Sequence, residues 1–131
     1  MLMVIQEYCV DIEAAVALSP VIRNILEYKT RITECGGYVR MKLALVNDDV
    51  TELFEYFSID EAMCNIVTEK YSYHWQSPAG EIRKRWDNAP HHREIETYPH
   101  HLHDGSEDNV KPSQVIGMVE IVTLLNELVL S

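Results

Sequence analysis

The stretch that decides the fold is IRNILEYKTRITECGGYVRMKLALVNDD, residues 22–49. Ile22, Leu26, Tyr28 and Ile32 fall on one face of an extended chain, with Arg23, Glu27, Lys29 and Arg31 on the other. That is the alternation of a strand with one face buried. Gly36-Gly37 signals a tight hairpin. Val39, Met41, Leu43 and Leu45 then alternate with Arg40 and Lys42, and Asn47-Asp48-Asp49 supplies the next turn. Strands joined by so short a connection pair antiparallel, because parallel neighbours need a long crossover.

Working outward, the aromatic-rich run from Thr51 to Ile59 reads as a third strand. Asp60 to Asn65 reads as a short helical turn or loop, and Ile66 to Gln76 as a fourth strand. Ser77-Pro78-Ala79-Gly80 turns the chain into a fifth strand, Glu81 to Trp86. Upstream, Ile5, Tyr8, Cys9, Ile12, Ala15 and Val16 recur at helical spacing between Val4 and Leu18, and Ser19-Pro20 ends that helix. From Asp87 to Pro112 regularity stops, and the stretch holds three of the five prolines. It reads as a long functional loop with at most one short strand. Ser113 can cap a closing helix to about Leu130, with Val115, Val119, Val122 and Leu125 among its apolar positions. The expectation is a single α+β domain over residues 1–131. It has an antiparallel meander of about five strands, flanked by an N-terminal and a C-terminal helix, with a long His-rich loop. Tyr28, Tyr38, Phe54, Tyr56 and Phe57 read as sheet core, and Cys9 and Cys64 as small buried hydrophobes.

Composition narrows the classes. With 131 residues, 47% hydrophobic and 24% charged, one core is expected. No apolar run approaches the ~20 residues of a membrane span. The start lacks the basic region of a signal peptide, and Cys9, Cys35 and Cys64 imply neither a disulfide framework nor a paired-cysteine metal site. A reducing, cytoplasmic setting is expected. Against 21 acids there are 11 bases, and the net charge of −10 argues against bulk binding to nucleic acid. Its distribution changes that picture. All six histidines and both tryptophans lie within residues 71–103, where four bases balance four acids. The other 7 bases and 17 acids carry the whole −10. An acidic scaffold therefore surrounds a neutral, His-rich and aromatic segment.

That segment supports two chemistries. Histidines can act as base and acid in one cycle, and two of them with a cation suffice to cleave RNA through its 2′-hydroxyl. Arg83, Lys84, Arg85 and Arg93 are the available cations, and Tyr73, Trp75 and Trp86 could stack on unpaired bases. The alternative is a divalent metal such as zinc. His101 and His103, two apart, share one side of an extended segment, and with His91 or His92 and Asp87 or Asp104 they could complete a shell. No HExxH or paired CxxC is present, so the metal reading rests on histidine density.

The composite run Tyr73-His74-Trp75-Gln76, Gly80, Arg85-Trp86-Asp87-Asn88-Ala89-Pro90-His91-His92 and Pro99-His100-His101-Leu102-His103 resembles the signature of the TumE family. Those are small toxins of prokaryotic type II toxin–antitoxin systems. The resemblance is dense from Tyr71 to Gly105; Arg93 departs from it, standing where a proline is expected. It implies a cytoplasmic protein that inhibits growth and is neutralised by a cognate antitoxin. Action on RNA is the inference from the residues themselves. In that reading the catalytic candidates are His74, Asp87, His91, His92, His101 and His103. His91 and His101 lead as base and acid, and His74 and Asp87 orient an imidazole. Arg83, Arg85, Trp75, Trp86 and Asn88 are the candidates for binding substrate. A metal, if used, would take His91, His101, His103 and Asp87. An acidic scaffold suits a basic antitoxin segment, and the apolar C-terminal helix suits docking to a partner or a second copy as a homodimer.

Overall fold

The alternation read from residues 22–49 becomes a hydrogen-bonded ladder. In the computed structural model, which describes residues 1–131, α1 (Leu2–Ala17) is followed by β1 (Ile22–Ile32), β2 (Gly36–Leu45), β3 (Val50–Asp60), β4 (Asn65–Gln76) and β5 (Ile82–Asp87). Then come β6 (His101–Asp104), β7 (Val110–Pro112) and α2 (Met118–Leu130). The fold is α+β: one sheet in which every strand pairs antiparallel with its sequence neighbour, order β1 to β7. There are seven strands rather than five. The two additional ones lie in the stretch expected to be a loop. At four and three residues, they are too short and polar for alternation to stand out.

Both helices cover the same face of the sheet. Ile5, Ile12 and Val16 of α1 and Met118, Ile121, Val122 and Leu125 of α2 close over Met41, Leu43, Leu53, Phe57, Tyr73 and Trp86. Burying each such side chain contributes ~1.5–3 kcal/mol. Glu55, fully buried within this layer, ties the parts together. It accepts hydrogen bonds from the Tyr8 hydroxyl of α1, from Thr68 Oγ1 on β4 at 2.5 Å, and from the Met118 N–H of α2 at 3.3 Å. Burial pushes its pKa up, against the lowering effect of those bonds. No helix is long and apolar enough to cross a membrane.

Several local expectations are corrected. Thr33 to Cys35 make the first hairpin's turn, and the two glycines open β2. They are needed for close approach: a Cβ on Gly36 would lie 2.2 Å from the Phe57 carbonyl oxygen, and one on Gly37 2.4 Å from that of Arg31. Leu26 falls at a β1 bulge and is half-exposed. Cys64 is exposed in the β3–β4 turn. Of the five aromatics expected in the core, only Phe57 is fully buried. Tyr38, Phe54 and Tyr56 belong to the rows Arg31–Tyr38–Tyr56–Lys70 and Lys29–Arg40–Phe54–Ser72, which face away from the helices. α2 begins at Met118 rather than Ser113, with the Gly117 N–H bonded to Glu120 Oε1. Residues 113–117 form no regular element instead and return the chain from the sheet edge, with Tyr73 Oη bonded to the Ile116 carbonyl.

Candidate functional site

Strand register assembles the histidines. Ser72, Asp87 and His101 stand in one cross-strand row, and His74, Arg85 and His103 in the next, both on the open face. Asp87 is the hub. Its Oδ1 accepts the Ala89 N–H at 3.0 Å and lies 3.0 Å from His101 Nε2. Its Oδ2 accepts from Arg85 Nε at 3.1 Å and lies 3.5 Å from His103 Nε2. The outer nitrogens are fixed too: His101 Nδ1 is 2.8 Å from the Pro99 carbonyl and His103 Nδ1 2.9 Å from the Glu107 carbonyl. A carbonyl only accepts, so each Nδ1 carries a proton.

The loop 88–100 returns over this row and brings a third imidazole. His92 lies edge-on to both rings, 5.2 Å from His101 and 5.7 Å from His103 between centroids, and those two are 4.9 Å apart. Its φ of +61° is left-handed, which costs a non-glycine residue about 1–2 kcal/mol. Strained backbone of this kind clusters at functional sites. The side chains of His101 and His103 are 2% and 5% exposed, whereas His92 is 34% exposed and forms the solvent side of the cluster.

The other candidates are placed differently. His91 is exposed and has no part in the cluster. His100 turns to the helix side, stacked on Tyr71 and hydrogen-bonded to its hydroxyl at 3.0 Å. His74 lies on the open face, with Nε2 3.1 Å from Gln76 Oε1. Trp75 and Trp86 are buried against the helices, and Trp75 Nε1 donates to the buried Asp49. The basic run is matched to carboxylates: Arg83 to Asp49, Lys84 to Asp104, and Arg85 to both Asp87 and Glu107. Burial works to lower the Arg85 pKa, but the bonds to Glu107 and Asp87 leave it raised. The hydrogen bond from Arg85 holds Glu107 below the usual carboxylate range. Arg93 is exposed. Asn88 pins β5 to β4, accepting the Tyr71 N–H and donating to the Glu69 carbonyl. α2 buries its apolar face inside the chain, which leaves only its other side for a partner.

Sequence reasoning missed a groove of about 340 Å³ on the open face. Arg40, Lys42, Lys70, Phe54 and His74 line it, with the acids Glu27 and Glu52 at its side. Three bases against two acids make it net positive in a chain of −10. The Arg40 guanidinium sits 4.6 Å over the Phe54 ring. His74 joins groove to cluster, since it lines the first and shares a row with His103. The signal was present in the strand alternation, because Arg40 and Lys42 flank Met41 on the face opposite to it. The role of Glu107, whose carbonyl orients His103, had no sequence signal.

The sequence model of the family described as Toxin TumE covers residues 12–129. No curated protein and no solved structure is similar enough to match.

Proposed function

The chain belongs to the TumE toxin family, and on that premise we propose that it arrests growth by cleaving RNA at the cluster of His92, His101, His103 and Asp87. The observation that carries the reading is the convergence of His101 and His103 on the Asp87 carboxylate, with His92 edge-on to both rings, at the end of an open, cationic groove. Phosphodiester cleavage needs a charged group where negative charge develops, and a place to hold the strand. Arg40 and Lys70 suit backbone phosphates, Lys42 being paired with Glu52 at 3.8 Å, and Phe54 offers a ring beside them for a base. These residues take the substrate-binding part first assigned to Arg83, Arg85, Trp75, Trp86 and Asn88, all of which are occupied or buried. His91, exposed and apart from the cluster, takes no part in this reading. A toxin of this family implies an antitoxin partner. In this reading a basic segment of it lies on the acidic scaffold, an association that high salt weakens.

The test is expression without antitoxin, together with purified protein on synthetic single-stranded RNA. Wild type is expected to arrest growth and shorten the RNA, while His92→Ala and His103→Asn do neither and His91→Ala does both. His92→Ala removes a partly exposed side chain, so loss of activity with an unchanged melting temperature separates chemistry from folding. Growth arrest with intact RNA would overturn the reading.

A further inference from the structure

We infer that His92, His101 and His103, with Asp87, form a binding site for one divalent transition-metal ion of the zinc class. The inference rests on the RNA-cleaving reading for its purpose, supplying the charge that reading requires, but its geometry stands by itself. Pro99 and Glu107 carbonyls accept from Nδ1 of His101 and His103, so the neutral rings present Nε2 lone pairs inward. Both lone pairs meet Asp87, whose oxygens also only accept when ionised. Lone pair against lone pair in a nearly closed pocket is repulsive. A single cation between the nitrogens and the carboxylate satisfies all of them.

The supporting shell is the kind that metal-bound histidines use. The inward nitrogens of His101 and His103 are each aimed by an outward N–H bonded to a backbone carbonyl, which fixes the ring and its tautomer. One ligand atom from each histidine lies within 4.8 Å of the others. A point central to three such atoms is then within about 2.8 Å of each, and movements of about 1 Å bring them to the ~2.0–2.1 Å of a zinc–imidazole bond. Three imidazoles and a carboxylate, without thiolate, suit zinc and its first-row neighbours rather than magnesium or calcium. The left-handed backbone at His92 turns the third ligand into the site from the loop. Because His92 is the exposed member, the shell opens toward solvent on its side.

The experiment uses the full chain purified without a His-tag and freed of metal. Zinc is titrated by calorimetry, and cobalt(II) by its visible absorption. One equivalent of zinc is expected to bind, with a cobalt spectrum of low coordination number. His103→Asn and His101→Asn should weaken zinc at least about 100-fold, and His91→Ala should leave it unchanged. Zinc is also expected to raise the melting temperature of wild type, and not that of His92→Ala. Absence of saturable binding, or equal affinity in wild type and His103→Asn, would overturn the site. Failures of the two readings are separable. Zinc held by these histidines without RNA cleavage upholds the site and defeats the RNA reading. Cleavage that survives chelation in a protein with no zinc affinity defeats the site and leaves the RNA reading standing.

Discussion

Glu55→Ala removes the acceptor on which α1, β4 and α2 converge. The hydroxyls of Tyr8 and Thr68 lose their acceptor, and the buried Met118 N–H keeps only a long bond to the Tyr8 hydroxyl at 3.4 Å. Each of these three weakened donors costs ~1 kcal/mol, while relief of the desolvated carboxylate returns ~1, for a net loss of about 2 kcal/mol. For a domain of this size that corresponds to a fall of about 7 °C in melting temperature. Urea and thermal unfolding at neutral pH, followed by circular dichroism, read it directly. Zinc affinity per folded molecule should not change, since Glu55 faces the helix layer and the cluster faces away. A loss below about 1 kcal/mol would refute the view that this carboxylate joins the helices to the sheet.

Other perturbations follow from the same contacts. Burial raises the Glu55 pKa, so above its usual 4.5 the folded state holds more protons than the unfolded one. The stability advantage of wild type over Glu55→Gln should therefore fall as pH rises through the folded pKa, and a pH-independent difference would contradict it. Asp49→Ala leaves Trp75 Nε1–H and the Arg83 guanidinium without their buried acceptor, which should cost about 2 kcal/mol in unfolding experiments and shift tryptophan fluorescence. Arg40→Ala with Lys70→Ala should reduce affinity for single-stranded RNA about tenfold and flatten its salt dependence, with the melting temperature little changed.

How much of this was legible in the sequence depended on repetition. Long strands announce themselves because each extra pair of residues repeats the in–out pattern, which is why β2 was readable from Val39, Met41 and Leu43 alone. The sequence also located the histidine-bearing window, and with it Asp87, His92, His101 and His103. It put His91 ahead of His92 with nothing to decide between them, because adjacent residues differ only in which way the backbone turns them. That choice is made by a left-handed φ at His92. Phe54 and Tyr56 were misread as core because aromatic character says nothing about face. Register says it, by pairing Phe54 with Arg40 and Tyr56 with Lys70. Trp75 and Trp86 erred in the opposite direction for the same reason. The short strands β6 and β7 were invisible, since their pairing is imposed by β5 rather than by local preference.

The order of the sheet is the order of the chain, and this divides the molecule along its length. The groove is complete by residue 76, drawn from β1 to β4, whereas the histidine cluster is drawn from residues 87–103. On the proposed reading, the surface that holds RNA and the groups that cut it are thus inherited as separate stretches of text. Substitutions in the first can change the groove's charge and shape while the second stays as it is. During synthesis the cluster also comes last: a nascent chain ending before β6 has the groove but lacks two of its three converging imidazoles.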